Sequence, residues 1–181
     1  MINFQPPEPY LIDADVAKSM QEDIQTGDIT AALLNDDIEN GYIIAKQEAV
    51  ICGIPWVDAC FKFLDPDIQL NWLVAEGQHV AANTVVLKFR GKARALLSAE
   101  RSALNFLQTL SATATQTAQF AKRLAHSKTR VLDTRKTLPG LRLAQKYAVR
   151  VGGGVNHRMG LFDAVMLKEN HILAEGSIAN A

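Results

Sequence analysis

After Lys128 the sequence alternates short apolar segments with helical ones, the pattern of parallel βα architecture, yet only 53 of its 181 residues remain. A closed (β/α)₈ barrel needs roughly 250 residues. At roughly 30 residues or more per βαβ unit, the remaining length holds about two strands. An open parallel sheet of that size cannot cover both its faces. The expectation is a chain that stops within a barrel, or folds only with a second chain, with Ala174–Ala181 entering another helix.

The earlier residues follow another pattern. Glu8 to Ile24 reads as a helix with Tyr10, Leu11, Ala14, Val16, Ala17 and Met20 on an approximate apolar face, stopped by Gly27. Tyr42–Ala45 and Ala49–Cys52 read as short strands, and Pro55 suits the first turn of a helix reaching about Leu64. Ile68–Val74 alternates as a strand, Ala75–Gln78 turns, and Val85–Phe89 is another strand. Ala93 to about Ala125 is one long helix or two consecutive ones, with Ser111–Thr115 as its weakest stretch. Arg130–Asp133 then reads as a strand, Pro139–Val149 as a helix and Ala164–Leu167 as a strand. The fold class expected is α/β with an α+β N-terminal domain. Residues 1–98 form a helix-and-sheet sandwich, and residues 99–181 a long helical segment and the first units of an incomplete parallel α/β barrel.

Nineteen basic and nineteen acidic residues cancel, so no overall basic excess points to nucleic acid. The charges are unevenly placed: Asp and Glu crowd the first forty residues, whereas from Lys88 to Arg158 the basic residues outnumber the acidic ones. An anionic small molecule belongs in that second region. Met1–Pro7 has neither a positive n-region nor an apolar h-region, and no apolar run approaches the roughly 18 residues of a membrane span. A cytoplasmic setting is expected, with Cys52 and Cys60 as buried thiols.

Three clusters could carry chemistry. Asp133-Thr134-Arg135-Lys136-Thr137 follows an expected strand, where open α/β sheets and barrels place ligands. Arg offers a planar fork for carboxylate and Lys a point charge for phosphate. The competing reading is a solvated loop in which the arginine pairs with Asp133. Gly152-Gly153-Gly154 permits positive φ or close backbone approach, and after Val155-Asn156 the pair His157-Arg158 again presents donors, although a helix stop followed by surface polar residues has the same look. Lys168, in Leu167-Lys168-Glu169-Asn170-His171, reads as a Schiff-base nucleophile, an anion ligand or a surface residue. Arg101, within the long helix, reads alone as a surface charge. No Cys/His spacing suggests zinc, and neither a GxxxxGK[ST] loop nor a GxGxxG turn after a strand is present. Several cations without a paired catalytic carboxylate suit a site that binds a polyanion and works by orientation and electrostatics.

Taken together, Asp133–Arg142, Lys146-Tyr147-Ala148, Gly152–Gly154, Asn156–Arg158 and Leu167–His171 resemble the quinolinate phosphoribosyltransferases. Glu22-Asp23 with Gly27–Thr30, Ala75–Gly77 and Glu100–Phe106 continue the resemblance in order. Ser111-Ala-Thr-Ala-Thr115 departs from it, standing where that family commonly has a glycine after the serine, and the family's C-terminal half has no counterpart here.

The resemblance implies an enzyme that joins quinolinate to phosphoribosyl pyrophosphate, releasing pyrophosphate and carbon dioxide and leaving nicotinate mononucleotide for NAD synthesis. It implies that Arg135, His157, Arg158 and Lys168 line the quinolinate pocket, with Arg101 reaching it from the second subunit of a homodimer. Lys136, with Thr134 nearby, would face phosphoribosyl pyrophosphate, and Arg135 and Lys136 would carry the catalytic charge. Magnesium would arrive mainly with the pyrophosphate, with no metal ligands in this chain and no nucleic-acid or membrane partner. Two alternatives stand beside it: a paralogue acting on nicotinate or another base, and a non-catalytic biotinyl- or lipoyl-like module around Ala75–Val80, which lacks the exposed hairpin-tip lysine such a carrier needs.

Overall fold

The computed structural model describes residues 4–181; the part of the N-terminal reading that falls on residues 1–3 lies outside the described residues. Helix α1 (Pro9–Asp23) opens with proline at its first position, where the ring removes no intrahelical hydrogen bond. Its buried stripe is Ile12, Val16 and Met20, spaced by four. Tyr10, Ala14 and Ala17, assigned to the apolar face from sequence, are exposed. A 3-10 turn at Ala31–Leu33 follows, held by Asp28, whose carboxylate accepts from Ala31 N–H at 2.9 Å and from the Ser98 hydroxyl at 2.8 Å.

Strands β1 (Ile38–Ala45), β3 (Gln69–Trp72) and β5 (Thr84–Lys92) form an antiparallel sheet in the order β1-β5-β3, with a register shift between Ile43 and Ile44. Two short strands, β2 (Ala49–Val50) and β4 (His79–Val80), pair separately. Helix α2 (Ile54–Leu64) starts after Gly53, whose φ of 110° suits only glycine comfortably. The α2 N-terminus is capped by Glu76, whose two carboxylate oxygens accept from Gly53 and Ile54 N–H at 2.8 and 3.0 Å. Burial pushes this carboxyl above its usual range against those hydrogen bonds.

Helix α3 (Ala93–Arg123) is a single unbroken element of 31 residues. The stretch with the poorest helical propensity is where it meets the sheet-bearing part. The Ser111 hydroxyl bonds the Cys52 backbone, and Thr115 Oγ1 accepts from Val50 N–H at 2.8 Å. Small hydroxylated side chains let a strand approach the helix and satisfy its backbone there. The expected boundary at 98/99 falls inside α3.

Helix α4 (Arg142–Val151) packs across α3. Its buried face, with Ala144, Tyr147, Ala148 and Val151, joins the same core as Trp56, Phe61, Leu87 and Leu110. Trp56 and Tyr147 meet with ring centroids 5.6 Å apart. At the crossing, a Cβ on Gly152 would strike the Ala114 carbonyl oxygen and lie 2.7 Å from Thr117 Cβ, while Gly153 turns the chain at φ 85°. Both uses expected of the glycine run are realised, one per residue.

Two expected strands differ. Arg130–Asp133 shrinks to one parallel bridge, Leu132 to Val155, and Ala164–Leu167 is not a strand. A strand persists only in a ladder, and among the described residues neither segment has a second neighbour to extend one. Their apolar side chains stay open, Leu132 at 54% and Val165 at 90% exposure. The last helix, α5 (Glu169–Glu175), begins directly after Lys168 and ends at Gly176, so Ala174–Ala181 leaves a helix instead of entering one. The fold is thus a sheet-bearing N-terminal part followed by a helical region with an incomplete barrel. Cys52 and Cys60 are free, fully buried thiols; burial pushes Cys60 up to about 12 and Cys52 higher still. Among the described residues, no helix is long and apolar enough to cross a membrane.

Candidate anion-binding site

Two segments meet in front of α4: 133–137, after the parallel bridge, and 155–160, after the glycine run. Asp133 joins them. Its Oδ1 accepts from Lys146 Nζ at 2.5 Å and from His157 N–H at 2.8 Å, and its Oδ2 from Asn156 Nδ2 at 2.6 Å. Lys146 also donates to the His157 carbonyl at 2.9 Å, and Asn156 Nδ2 to the Lys146 carbonyl at 2.8 Å. Arg142 supplies a second tie, donating to Thr137 Oγ1 at 3.3 Å, the Met159 carbonyl at 3.2 Å and the Arg135 carbonyl at 3.5 Å.

Of the residues expected at the site, Thr134, Arg135 and Lys136 lie on the first segment, and His157 and Arg158 on the second. Thr134 Oγ1 accepts from Lys136 N–H at 3.0 Å, tightening the turn that carries the cations. The Nε of Arg135 is buried and has no hydrogen-bond partner among the described residues. His157 Nδ1 accepts from Arg158 N–H at 2.8 Å, so the ring's free donor is Nε2. Arg158 donates to the Ala164 carbonyl at 3.1 Å.

The competing reading, a loop arginine paired with Asp133, is not what forms. Asp133 pairs with Lys146 instead. The neighbouring acid, Asp163, accepts from Met159 and Gly160 N–H at 2.7 and 3.0 Å, which holds its carboxyl below the usual range. Both nearby carboxylates are therefore internally satisfied, and the side-chain charges of Arg135, Lys136 and Arg158 have no acidic partner among the described residues.

Arg101 and Lys168 belong to other elements. Arg101 is exposed on α3, and Lys168 caps the start of α5, its N–H donating to His171 Nδ1 at 3.0 Å. Among the described residues, no hydrogen bond or ion pair joins either to the two segments. A cleft of ≈ 340 Å³ lies elsewhere, between α1 and α3 beside Pro139–Leu141. It offers Asp15 and Glu22 against Lys18, a poor balance for a dianion.

Asp133, Arg142, Lys146 and Asn156 belong to the sequence motifs but are given no part in building the site there. One signal was available: Lys146 sits among Ala144, Tyr147, Ala148 and Val151 on the buried face of an amphipathic helix, where a lysine demands an acidic partner. Which acid it takes is a tertiary fact.

Residues 28–111 match the family model described as quinolinate phosphoribosyl transferase, N-terminal domain, and residues 113–181 match that of the C-terminal domain. The chain belongs to the quinolinate phosphoribosyltransferase family. Within this family it is 45% identical over 176 residues to the probable nicotinate-nucleotide pyrophosphorylase [carboxylating] of Synechocystis, covering 97% of this chain and 60% of that protein. It is 42% identical to the chloroplastic nicotinate-nucleotide pyrophosphorylase [carboxylating] of Arabidopsis thaliana, covering 95% and 50%. The solved structure of the nicotinate-nucleotide pyrophosphorylase from Francisella tularensis superposes with a TM-score of 0.92 at 46% identity, over 99% of this chain and 64% of that one. The chain thus spans about half to two thirds of the length of these family members.

Proposed function

We propose that this chain contributes the diacid-binding part of an enzyme that converts quinolinate and phosphoribosyl pyrophosphate to nicotinate mononucleotide, pyrophosphate and carbon dioxide. One observation carries the reading: Arg135, Lys136, His157 and Arg158 sit on two joined segments whose own carboxylates are already satisfied. A buried donor without a partner, Arg135 Nε, is costly unless a ligand meets it.

In this reading Arg135, His157, Arg158 and Lys168 hold the two carboxylates of quinolinate, and Arg101 arrives from the second copy of a homodimer. Lys136 and the Thr134 turn face the phosphoribosyl pyrophosphate. The pyridine nitrogen attacks the anomeric carbon as pyrophosphate leaves with the bonding pair. Lys136 and Arg135 stabilise the charge that develops, by position and field alone. The 2-carboxylate then departs as carbon dioxide; its bonding pair stays on ring C2, stabilised by the adjacent cationic nitrogen, and takes up a proton to give the product. Magnesium would enter mainly with the pyrophosphate substrate. As a division of labour, residues 1–98 serve as scaffold and residues 99–181 carry the ligand contacts. The two buried free thiols fit a cytoplasmic setting.

Calorimetry with quinolinate and nicotinate tests the assignment. Quinolinate should bind more tightly, and Arg135→Ala should remove both its binding and carbon dioxide release. Tighter nicotinate binding would instead select the paralogue reading. For the shared site, mixing Arg101→Ala protein with Arg135→Ala protein should restore part of the turnover. No recovery on mixing would rule out a contribution from the second copy.

A further inference from the structure

The Asp133–Lys146 ion pair is almost fully enclosed, with side chains 6% and 1% exposed, and both members grip the same residue. Asp133 accepts from His157 N–H, while Lys146 donates to the His157 carbonyl. One ion pair therefore fixes the peptide groups on both sides of His157, and Asn156, bonded to Asp133 and to the Lys146 carbonyl, closes the ring. The consequence reaches the next residue, because Arg158 N–H is held by His157 Nδ1.

We propose that Asp133 and Lys146 are positioning residues of the anion site. The pair clamps the backbone of His157, which aims its Nε2 donor and the Arg158 guanidinium. It also neutralises the one carboxylate of the cation-bearing segment, which would otherwise compete with an anionic ligand for Arg135 and Lys136. The inference rests on the diacid-site reading above and deepens it.

A pair that served only to glue α4 in place would behave differently. Neutral replacements for a buried ion pair often restore stability that single replacements lose, because no orphan charge is left behind. Positioning is not restored in that way. The unmodified protein, Asp133→Asn, Lys146→Met and the double variant are compared by denaturant unfolding, by quinolinate calorimetry and by nitrogen NMR of the His157 ring. The double variant should regain most of the stability that either single change costs. Its quinolinate affinity should remain at least about tenfold lower, with His157 no longer held as an Nδ1 acceptor. A folded double variant with unmodified affinity and an unchanged His157 signature overturns the proposal. An independent measurement needs no variant: the His157 amide should exchange with solvent as slowly as the interior amides of α4, and fast exchange refutes the clamp. Failure of the unmodified protein to bind quinolinate at all refutes the underlying diacid reading, whereas binding that survives loss of the clamp refutes this inference alone.

Discussion

Ser111, inside α3, accepts a hydrogen bond from Cys52 N–H at 3.0 Å and returns one from its hydroxyl to the Cys52 carbonyl at 3.2 Å. A single small side chain thereby satisfies both backbone groups of a residue with no solvent exposure. Replacing it with alanine leaves a buried donor and a buried acceptor unpaired. Ser111→Ala should lose about 1–3 kcal/mol of stability. Urea unfolding should show a lower midpoint at unchanged slope; an unaltered midpoint would mean that water takes over both bonds.

Gly152 marks the closest approach of α4 to α3. Its φ of −76° is open to any residue, so the constraint is space alone. Gly152→Ala pushes a methyl group against the Ala114 carbonyl and Thr117, neither of which can swing away without moving the helix. The expected cost is about 1–3 kcal/mol, read as a lower thermal midpoint. Gly140→Ala separates the two penalties: an added Cβ there meets nothing within 4 Å, so at its φ of 81° the cost is backbone strain alone.

Glu76 sets a pH dependence. Burial raises its folded carboxyl pKa above the unfolded value, so the folded state binds this proton more tightly. The resulting stabilisation is complete below the ordinary glutamate value and is lost as pH rises through the raised one. Stability of the unmodified protein should therefore fall across that window relative to Glu76→Gln, by no more than about 1.4 kcal/mol per pH unit, one proton's worth. Unfolding curves collected across the weakly acidic range give the comparison. A steeper fall in the glutamine variant would reverse the sign and refute the assignment.

The two cysteines should be inert in the folded state. Burial holds Cys60 near 12 and Cys52 above that, and neither side chain reaches solvent. A thiol-reactive dye should label almost no thiol under native conditions and two per chain in denaturant. Rapid native labelling would show that α2 opens locally.

Much of the architecture is written locally. The proline starts of α1 and α2, the alternation of Leu70 and Trp72 in β3 and the apolar spacing of α4 are set by residues within a few positions of one another. The cation clusters were equally visible, because Thr134-Arg135-Lys136 and His157-Arg158 are contiguous. What failed was of a different kind. Arg130–Asp133 and Ala164–Leu167 have strand-forming side chains, but propensity cannot supply the neighbouring strand that a ladder needs. Tyr10 has an apolar ring and a place on α1, yet the side of the helix that faces α2 and α3 is decided by Ile12, Val16 and Met20.

By itself the sequence determined roughly where α1 to α4 and strands β1, β2, β3 and β5 lie, which region is cationic, and which family's motifs it carries. The tertiary structure alone decided partners. It gave Asp133 to Lys146 instead of Arg135, and gave Ser111 and Thr115 to the backbone of residues 50–52. The physical reason is range. Periodicity and turn chemistry act between near neighbours in the chain, whereas the partner of a buried charge or hydroxyl is fixed only when packing excludes water and leaves one group within reach.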